Sequence, residues 1–273
     1  MAMSLSLKNA YGVACAMADI WFLVSSADRG AVRSNIKRVT GLKDPRELNR
    51  MTRQVFRNFA KYLVDFFRFS KIDDEYIKRF VKVEGIEYLD EALSKGKGVV
   101  LLSAHIGNWE LGALVVSSLR ESVLAVALTH ADKRINDLFT RQRMAGNVKP
   151  VKIGMSLRSC YEALKNNGLV ALLGDRDFSS KGLMMDFFGL PALIPIGPAA
   201  FSARLDAEIV PTFMVREKDD TFRLIFQPRL EKPSAAGEDA KFKEIVKGYV
   251  SVIERYIKMY PTQWYMFKRA WNQ

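Results

Sequence analysis

Cysteine and histidine are both scarce in this chain. Its 273 residues include two cysteines, Cys15 and Cys160, and two histidines, His105 and His130. The cysteines form no CxxC pair, which argues against a disulfide framework or a structural zinc site and favours a reducing compartment. A histidine-based metal site needs more ligands than these. We therefore expect neither a metal ion nor another bound cofactor to take part in the chemistry.

A long hydrophobic run is also missing. The most apolar stretch, Ala10–Val24, contains Asp19 and is shorter than the roughly 20 residues that a membrane-spanning helix needs. It has no basic region before it and no clear small-residue cleavage site, so it is not typical of a secretory signal. We predict that this stretch forms a buried or interfacial helix. Such a helix would attach the protein to a membrane in a peripheral or monotopic manner.

Acidic residues are outnumbered, with 30 Asp and Glu against 42 Lys and Arg and a formal net charge of +12. Much of the excess lies between Arg29 and Arg68, where basic and apolar side chains fall on opposite faces of a predicted helix. The basic face comprises Arg46, Arg50, Arg53, Arg57 and Lys61. This face is either the solvated back of a core helix or a surface for anionic lipid, where each basic residue contributes about 1 kcal/mol. Without a recognition-helix, RNP or zinc-finger signature, specific nucleic-acid binding is not expected.

The segment SAHIGNWELGA, residues 103–113, places His105 five residues before Glu110. The apolar run at 99–102 predicts a buried strand before it, and Asn108 is a suitable N-cap for the helix that follows. A neutral imidazole at the carboxyl end of a strand can take a proton from a hydroxyl while a carboxylate orients it. Taken alone, this pair is better explained as a structural histidine and a carboxylate that interacts favourably with the positive end of a helix.

Strands and helices alternate from about residue 81 onwards. Residues 1–80 are predicted to form an N-terminal helical, membrane-associating region. Residues 81–273 are predicted to form a three-layer α/β domain, in which helices cover both faces of a mixed sheet with an antiparallel edge. The stretch 174–197 shows no regular pattern, and loops of that length within a compact domain are usually functional.

Four further segments accompany the histidine motif. They are Arg141 and Arg143 late in a predicted helix, LGDRDF at 173–178, DFFGLPA at 186–192 followed by IGPA at 196–199, and QWYMFKRAW at 263–271. Together with HxxNWE, these segments resemble in order and spacing the bacterial late acyltransferases of lipid A biosynthesis. They are also similar to the related phosphatidylinositol mannoside acyltransferases, within the lysophospholipid acyltransferase superfamily. The resemblance covers roughly residues 30–271.

This resemblance implies a glycerol-3-phosphate acyltransferase-like fold and transfer of a fatty acyl group from a thioester to a hydroxyl of a membrane glycolipid. It implies acyl carrier protein or acyl-CoA as the donor and a lipid A precursor as the preferred acceptor. The expected location is the cytoplasmic face of the bacterial inner membrane. By resemblance, His105 is the base and Glu110 is its acidic partner, while Arg141 and Asp175 match a functional arginine and aspartate.

The chemistry of the residues agrees with this implication. Transfer from a thioester to a hydroxyl needs a base and donors for the developing oxyanion, but no covalent nucleophile, and no GxSxG elbow is present. Arg141 suits a phosphate or a polarised carbonyl, and Asp175 would hold that arginine, position the acceptor or form an ion pair with Arg176. Arg176 and Asn108 complete the set of predicted substrate-binding residues.

Several alternatives stay open. In the first, the acyl acceptor is a phosphatidylinositol mannoside or another lysophospholipid. In the second, the acceptor is water, and the protein is a lipid or thioester hydrolase. A third is a non-catalytic lipid-binding protein on the same fold. Met184, Met185 and Phe201 are candidates for the side chain that closes an acyl tunnel, while Trp264 and Trp271 are predicted to pack rather than to bind ligands.

Overall fold

The computed structural model describes residues 5–271 except 121, 128–131, 153–155, 179 and 234–236. Three helices come first, namely α1 (Leu7–Val24), α2 (Ser26–Thr40) and α3 (Pro45–Phe66). The side chains of Ser6, Ser25 and Asp44 accept from backbone N–H groups in the first turns of these helices. Pro45 occupies the first turn of α3, where its missing N–H has no cost.

Asp19 lies within apolar α1 and is bound by two arginines of α3. Arg53 and Arg57 each donate to both of its carboxylate oxygens, with Nε–Oδ1 distances of 2.7 and 2.8 Å. The bonds from Arg57 and then Arg53 hold the pKa of Asp19 well below its usual range. The basic face of α3 is therefore partly neutralised, because two of its members compensate an acid on the neighbouring helix.

Among the described residues, no single helix is both long and apolar enough to cross a membrane. Together, α1 and α2 meet the length and composition requirement as a pair bent by 96°. The outer face of α1 is apolar, with exposed side chains at Val13, Met17, Ile20, Leu23 and Val24. Because they recur every three to four residues, these side chains form one stripe along the helix.

Nine strands are present in the described residues. They are β1 (Val81–Glu84), β2 (Val99–Ser103), β3 (Val123–Ala127), β4 (Val148–Lys152), β5 (Leu169–Leu173), β6 (Leu183–Phe187), β7 (Leu190–Ile194), β8 (Glu208–Arg216) and β9 (Phe222–Phe226). Seven form one sheet in the order β1-β9-β8-β2-β5-β3-β4, while β6 and β7 form a separate hairpin. The strands from β8 to β4 are parallel, whereas β9 is antiparallel to β8 and pairs in parallel with β1. The predicted mixed sheet is confirmed.

The described part of the chain contains seven further helices. They are α4 (Asp74–Phe80), α5 (Ile86–Ser94), α6 (Trp109–Leu119), α7 (Lys133–Ala145), α8 (Ser156–Lys165), α9 (Gly197–Leu205) and α10 (Glu238–Met259), with 3-10 turns at Phe69–Lys71 and Pro261–Gln263. Val100 and Leu102 of β2 belong to a core shared with α8, α9 and α10, whereas Val99 and Leu101 belong to one shared with α5 and α6. Successive strand side chains point to opposite faces, so helices cover both sides of the sheet. A specific match to the glycerol-3-phosphate acyltransferase fold stays a prediction.

Two features differ from the sequence-based expectation. The edge strand β1 has four residues and was not predicted, and the supposedly irregular stretch 174–197 contains the hairpin of β6 and β7. Its two turn residues, Phe188 and Gly189, have φ values of 54° and 75°. Asn-Gly and Asp-Gly are the preferred sequences for a two-residue turn with positive φ at both positions. Because phenylalanine occupies the first turn position, the sequence did not predict the hairpin.

Candidate active site

His105 lies in a loop of five residues, 104–108, that connects β2 to α6; we call it the histidine loop. The N–H of Tyr265 donates to the carbonyl of His105 at 2.8 Å, and the N–H of Gly107 donates to the carbonyl of Gln263 at 2.9 Å. Gly107 has φ +62°, and a Cβ there would lie 1.9 Å from a carbonyl oxygen of β8. Only glycine fits this approach, so the C-terminal segment and β8 hold the loop in one conformation.

Asp175, not Glu110, orients the imidazole of His105. The Nδ1 atom of His105 is 2.9 Å from Asp175 Oδ1, and the backbone N–H of His105 donates to the same oxygen at 3.1 Å. Trp264 Nε1–H donates to Asp175 Oδ2 at 2.9 Å. Burial alone would raise the pKa of the Asp175 carboxyl, but the facing imidazole and these hydrogen bonds bring it below the ordinary value. An ionised Asp175 places the ring proton on Nδ1, so Nε2 is free to accept one.

Glu110 instead binds Arg143, which corrects the expected pairing with His105. Nε of Arg143 lies 2.9 Å from Oε2 of Glu110, and Nη2 donates to Oε1. Both side chains are about nine-tenths buried beside the cavity described below. The first turn of α6 directs Glu110 toward α7, a placement that the sequence spacing of five residues did not reveal. A catalytic role for Glu110 stays a prediction.

The two arginines of α7 have different surroundings, and the predicted one is on the outside. Arg141 is exposed, whereas Arg143 is buried and lies 5.6 Å from the ring centroid of Phe139. Residues two apart on a helix differ by about 200°, so only one of the pair can face the core. The spacing of Phe139 and Arg143 by four residues was the available signal in the sequence.

Asn108 caps α6 and also links it to α3. Its amide oxygen accepts from the N–H of Leu111 at 3.1 Å, as predicted for an N-cap, and its amide nitrogen donates to buried Asp65 at 3.0 Å. Tyr11 of α1 and Arg216 of β8 donate to the same carboxylate. Burial raises the pKa of Tyr11, so its hydroxyl stays a donor. These contacts give Asn108 a positioning role, and its predicted part in substrate binding stays a prediction.

A cavity of about 700 Å³ extends from His105 between α6 and the sheet. Strand register explains the space, because Ala171 and Ala125 stand beside Leu101 in one cross-strand row and all three line the cavity. On the facing helix, Gly112 and Ala113 are equally small. A volume of this size is typical of a small-molecule site, and apolar walls suit a hydrocarbon chain.

Cationic and aromatic side chains surround the mouth of this cavity. Arg176 is half-buried, with its guanidinium carbon 4.4 Å from the ring centroid of Phe178, and its burial lowers the pKa of the guanidinium. Phe178 also lies 6.0 Å from the ring of His105. Asp175 is bound by His105 and Trp264, which differs from the ion pair with Arg176 that the sequence allowed. Arg176 lines the cavity, and its predicted part in substrate binding stays a prediction.

The remaining predictions concern residues away from His105. Met184 is exposed on β6 and Phe201 is buried in the core of the opposite sheet face, and neither they nor Met185 line the cavity. Trp271 packs as predicted and donates to a backbone carbonyl at 2.7 Å. Trp264 packs as well, but its bond to the carboxylate of Asp175 was not foreseen. His130, the other histidine, lies outside the described residues.

The fold and the site together define a class of protein. An imidazole oriented by a buried carboxylate opens onto an apolar cavity at the carboxyl edge of an α/β sheet. This combination is typical of an enzyme that performs general-base chemistry on a lipid-like substrate.

Comparison with known proteins then gives the family. The profile of the family described as Bacterial lipid A biosynthesis acyltransferase matches residues 5–273, so the chain belongs to this family of acyl-transferring enzymes. It is 26% identical over 246 residues to phosphatidylinositol mannoside acyltransferase of Mycobacterium tuberculosis, covering 88% of this chain and 76% of the relative. It is 26% identical over 245 residues to lipid A biosynthesis palmitoleoyltransferase of Escherichia coli, covering 88% and 77%. The resemblance inferred from the motifs is confirmed.

Proposed function

We propose that this protein transfers a fatty acyl group from a thioester of acyl carrier protein or coenzyme A to a hydroxyl of a membrane glycolipid. The observation that carries the proposal is the bond from His105 to Asp175 at the edge of an apolar cavity. Family membership supports acyl transfer as the reaction, and the cavity supports a long hydrocarbon as the group that moves. That no metal or other cofactor takes part stays a prediction.

The His105–Asp175 pair supplies the proton transfers. Nε2 of His105 accepts the proton of the acceptor hydroxyl as the hydroxyl oxygen bonds to the thioester carbonyl carbon, and the C=O electron pair moves onto oxygen. Asp175 stabilises the imidazolium that forms. When the carbonyl re-forms, the C–S bond breaks and the leaving thiolate takes the proton from His105. The products are an ester and a free thiol.

Two acceptor classes are candidates. A lipid A precursor is the preferred one, because the matching family profile is that of lipid A biosynthesis. A phosphatidylinositol mannoside or another lysophospholipid is the second, because similar relatives with that activity come from Mycobacterium tuberculosis and Mycolicibacterium smegmatis, the latter 25% identical over 88% of this chain and 78% of its own. Arg176 at the cavity mouth suits a phosphate of either acceptor or of the donor's carrier.

The outer face of α1 supports attachment to the membrane in which such an acceptor lies. Its exposed apolar stripe includes Met17, Ile20 and Leu23, and Asp19 is compensated by Arg53 and Arg57. Burial of apolar side chains at a bilayer surface favours binding, and basic side chains nearby favour anionic lipids. We place the enzyme as a peripheral or monotopic protein on the cytoplasmic leaflet of the inner membrane.

The test measures acyl transfer in vesicles that contain a lipid A precursor, phosphatidylinositol mannoside and lysophospholipid side by side. Labelled lauroyl and palmitoyl thioesters of acyl carrier protein and of coenzyme A are the donors. His105→Ala should lower kcat by about 10²–10⁴-fold, the usual contribution of a general base.

Each outcome separates the candidates. Acylated lipid A precursor that is formed by the wild type and not by His105→Ala supports the preferred acceptor. Acylation of another lipid only supports the same chemistry with a different acceptor. Free fatty acid that depends on His105 indicates hydrolysis. No product with any acceptor, together with donor binding, would leave the non-catalytic lipid-binding protein as the better account.

A further inference from the structure

The carboxylate of Asp65 is buried against the histidine loop but takes no part in the proton transfers proposed above. It lies in the last turn of α3, is 2% exposed, and accepts from Tyr11 of α1, Arg216 of β8 and Asn108 of the loop. The bond from Asn108 Nδ2 measures 3.0 Å. None of these four side chains lines the cavity. Any effect of Asp65 on the reaction must therefore pass through a neighbour.

Two aspartates hold the histidine loop, one near its start and one at its end. Asp175 accepts from the backbone N–H of His105 at 3.1 Å and faces its Nδ1 atom at 2.9 Å. Asp65 binds Asn108, whose amide oxygen also accepts from the N–H of Leu111 in the first turn of α6. Because His105 and Asn108 are only three residues apart, a shift of Asn108 would be passed to the imidazole through a short piece of backbone.

Tyr11 brings the first helix of the chain into this network. Its hydroxyl donates to Asp65 Oδ1 and accepts from Nη1 of Arg216 at 3.0 Å. Among the residues that the structure describes, no side chain of α1 lines the cavity. The helix that we place at the membrane is therefore joined to the loop that carries the base through two side chains, Asp65 and Asn108.

The composition of the network favours a positioning role over a purely stabilising one. Arg216 supplies the counter-charge of Asp65, but a buried ion pair is often no more stabilising than apolar side chains of similar volume. A buried polar network in which every member has a partner, by contrast, fixes one arrangement of its side chains. Here that arrangement ends on Asn108, the residue that joins the loop to α6.

We infer that Asp65 is a positioning residue, which holds the histidine loop through Asn108 so that His105 meets Asp175 and the substrate in one orientation. Tyr11 and Arg216 in turn hold the carboxylate of Asp65 toward Asn108. The inference rests on the proposed acyl transfer. It also makes α1 a part of the scaffold of the active site and not only an attachment to the membrane.

The first variant is Asn108→Ser, assayed with the thioesters and acceptor vesicles described above. Serine caps a helix about as well as asparagine does, but it has no amide nitrogen to donate to Asp65. A displacement of about 1 Å at a catalytic group can cost roughly 10²-fold in rate, so we expect kcat to fall by about 10²-fold with little change in KM.

The second variant is Tyr11→Phe, which removes one of the three donors to Asp65 at a position away from the cavity. The carboxylate keeps Arg216 and Asn108, so kcat should fall by about tenfold, a part of the roughly 10²-fold that a full displacement costs. KM and binding to vesicles should stay unchanged. If Asn108→Ser does not fold, Tyr11→Phe decides the question.

Tyr260→Phe is the matched control. The Tyr260 hydroxyl also accepts from an arginine of the sheet, Arg223, at 2.7 Å, but neither residue contacts Asp65 or Asn108 through a hydrogen bond. Its loss should lower Tm while kcat, measured well below the Tm, stays at the wild-type value. A Tyr11→Phe variant that behaves in the same way shows a structural role only.

The double variant Tyr11→Phe with Asn108→Ser tests the route. If Tyr11 acts through Asp65 and Asn108, its loss has no further effect once the amide is gone, and the double variant is as slow as Asn108→Ser alone. A loss in kcat equal to the product of the two single losses overturns this route.

The two proposals fail in distinguishable ways. Tyr11→Phe with the wild-type kcat overturns the role of Asp65 alone, because the wild type then still transfers the acyl group. A wild-type protein that transfers no acyl group to any acceptor overturns both.

Discussion

Two buried carboxylates beside the same cavity have different partners. Asp175 bonds to His105, whose second ring nitrogen makes no hydrogen bond to the residues that the structure describes, whereas Glu110 bonds through both oxygens to the guanidinium of Arg143. An imidazole can accept and release a proton during a reaction, while an arginine remains charged. The comparison teaches that burial and charge alone do not mark a catalytic acid, since the partner decides whether the pair can move a proton.

The same difference appears in the pKa values of the two pairs. Burial would raise the pKa of Asp175, yet the facing His105 lowers it, which keeps the carboxylate charged. Burial would lower the pKa of Arg143, yet its bonds to Glu110 raise it, which fixes the positive charge. One pair is therefore suited to stabilise an imidazolium, and the other is a permanent ion pair that links α6 to α7.

The largest effect is expected from Asp175→Asn. An amide in place of the carboxylate favours the wrong tautomer of the imidazole and no longer stabilises the imidazolium, so kcat should fall by up to about 10⁴-fold. The measurement is kcat for acyl transfer at neutral pH, with circular dichroism as a check on folding. A rate close to that of wild type would show that Asp175 does not orient the base.

Glu110→Gln should act on stability. It leaves the buried guanidinium of Arg143 without its counter-charge, and breaking such a pair costs about 3–5 kcal/mol of unfolding free energy. Denaturant unfolding measures this loss. The double variant Glu110→Gln with Arg143→Gln removes both charges and should regain much of it. An equally unstable double variant contradicts the account of the ion pair.

At low pH, Asp175 should no longer contribute to the stability of the folded protein. Its folded pKa is below the ordinary value of 3.8, so the stability it contributes is present above that pH and is lost as pH falls through the folded pKa. The difference in Tm between wild type and Asp175→Asn should therefore persist from neutral pH to about pH 5 and shrink below it. A difference that already vanishes at neutral pH indicates that Asp175 is protonated there.

The smallest effect is expected from Trp264→Phe. It removes one hydrogen bond from Asp175 Oδ2, and bonds to charged groups contribute about 1.5–3 kcal/mol, so kcat should fall by about 10–150-fold. Trp271→Phe is the matched control, because the Trp271 ring donates to the carbonyl of Phe187 at 2.7 Å instead of to Asp175. Equal losses in both variants would assign the effect to packing.

Local elements of the fold were predictable from the sequence. Asn108 caps α6 as expected, and β2 lies where the apolar run at 99–102 placed it. These features depend on residues close together in the chain. The hairpin of β6 and β7 was missed because Phe188 occupies a turn position that asparagine or aspartate usually holds.

The candidate site was only partly predictable. The sequence singled out His105, Glu110 and Asp175, and all three lie in or beside the cavity. It paired His105 with Glu110 because they are close in sequence, and it chose Arg141 over Arg143. The spatial partners are 70 residues apart for His105 and Asp175, and 89 apart for Asp175 and Trp264.

By itself, the sequence determined most of the elements, the family and the histidine at the site, because periodicity, capping and short motifs act over a few residues. Only the tertiary structure decided which carboxylate meets which partner. Those assignments depend on parallel strands that meet at one edge of the sheet, and on which face of each helix turns inward. The number of residues between two positions in the chain predicts neither the meeting of the strands nor the face that a helix turns inward.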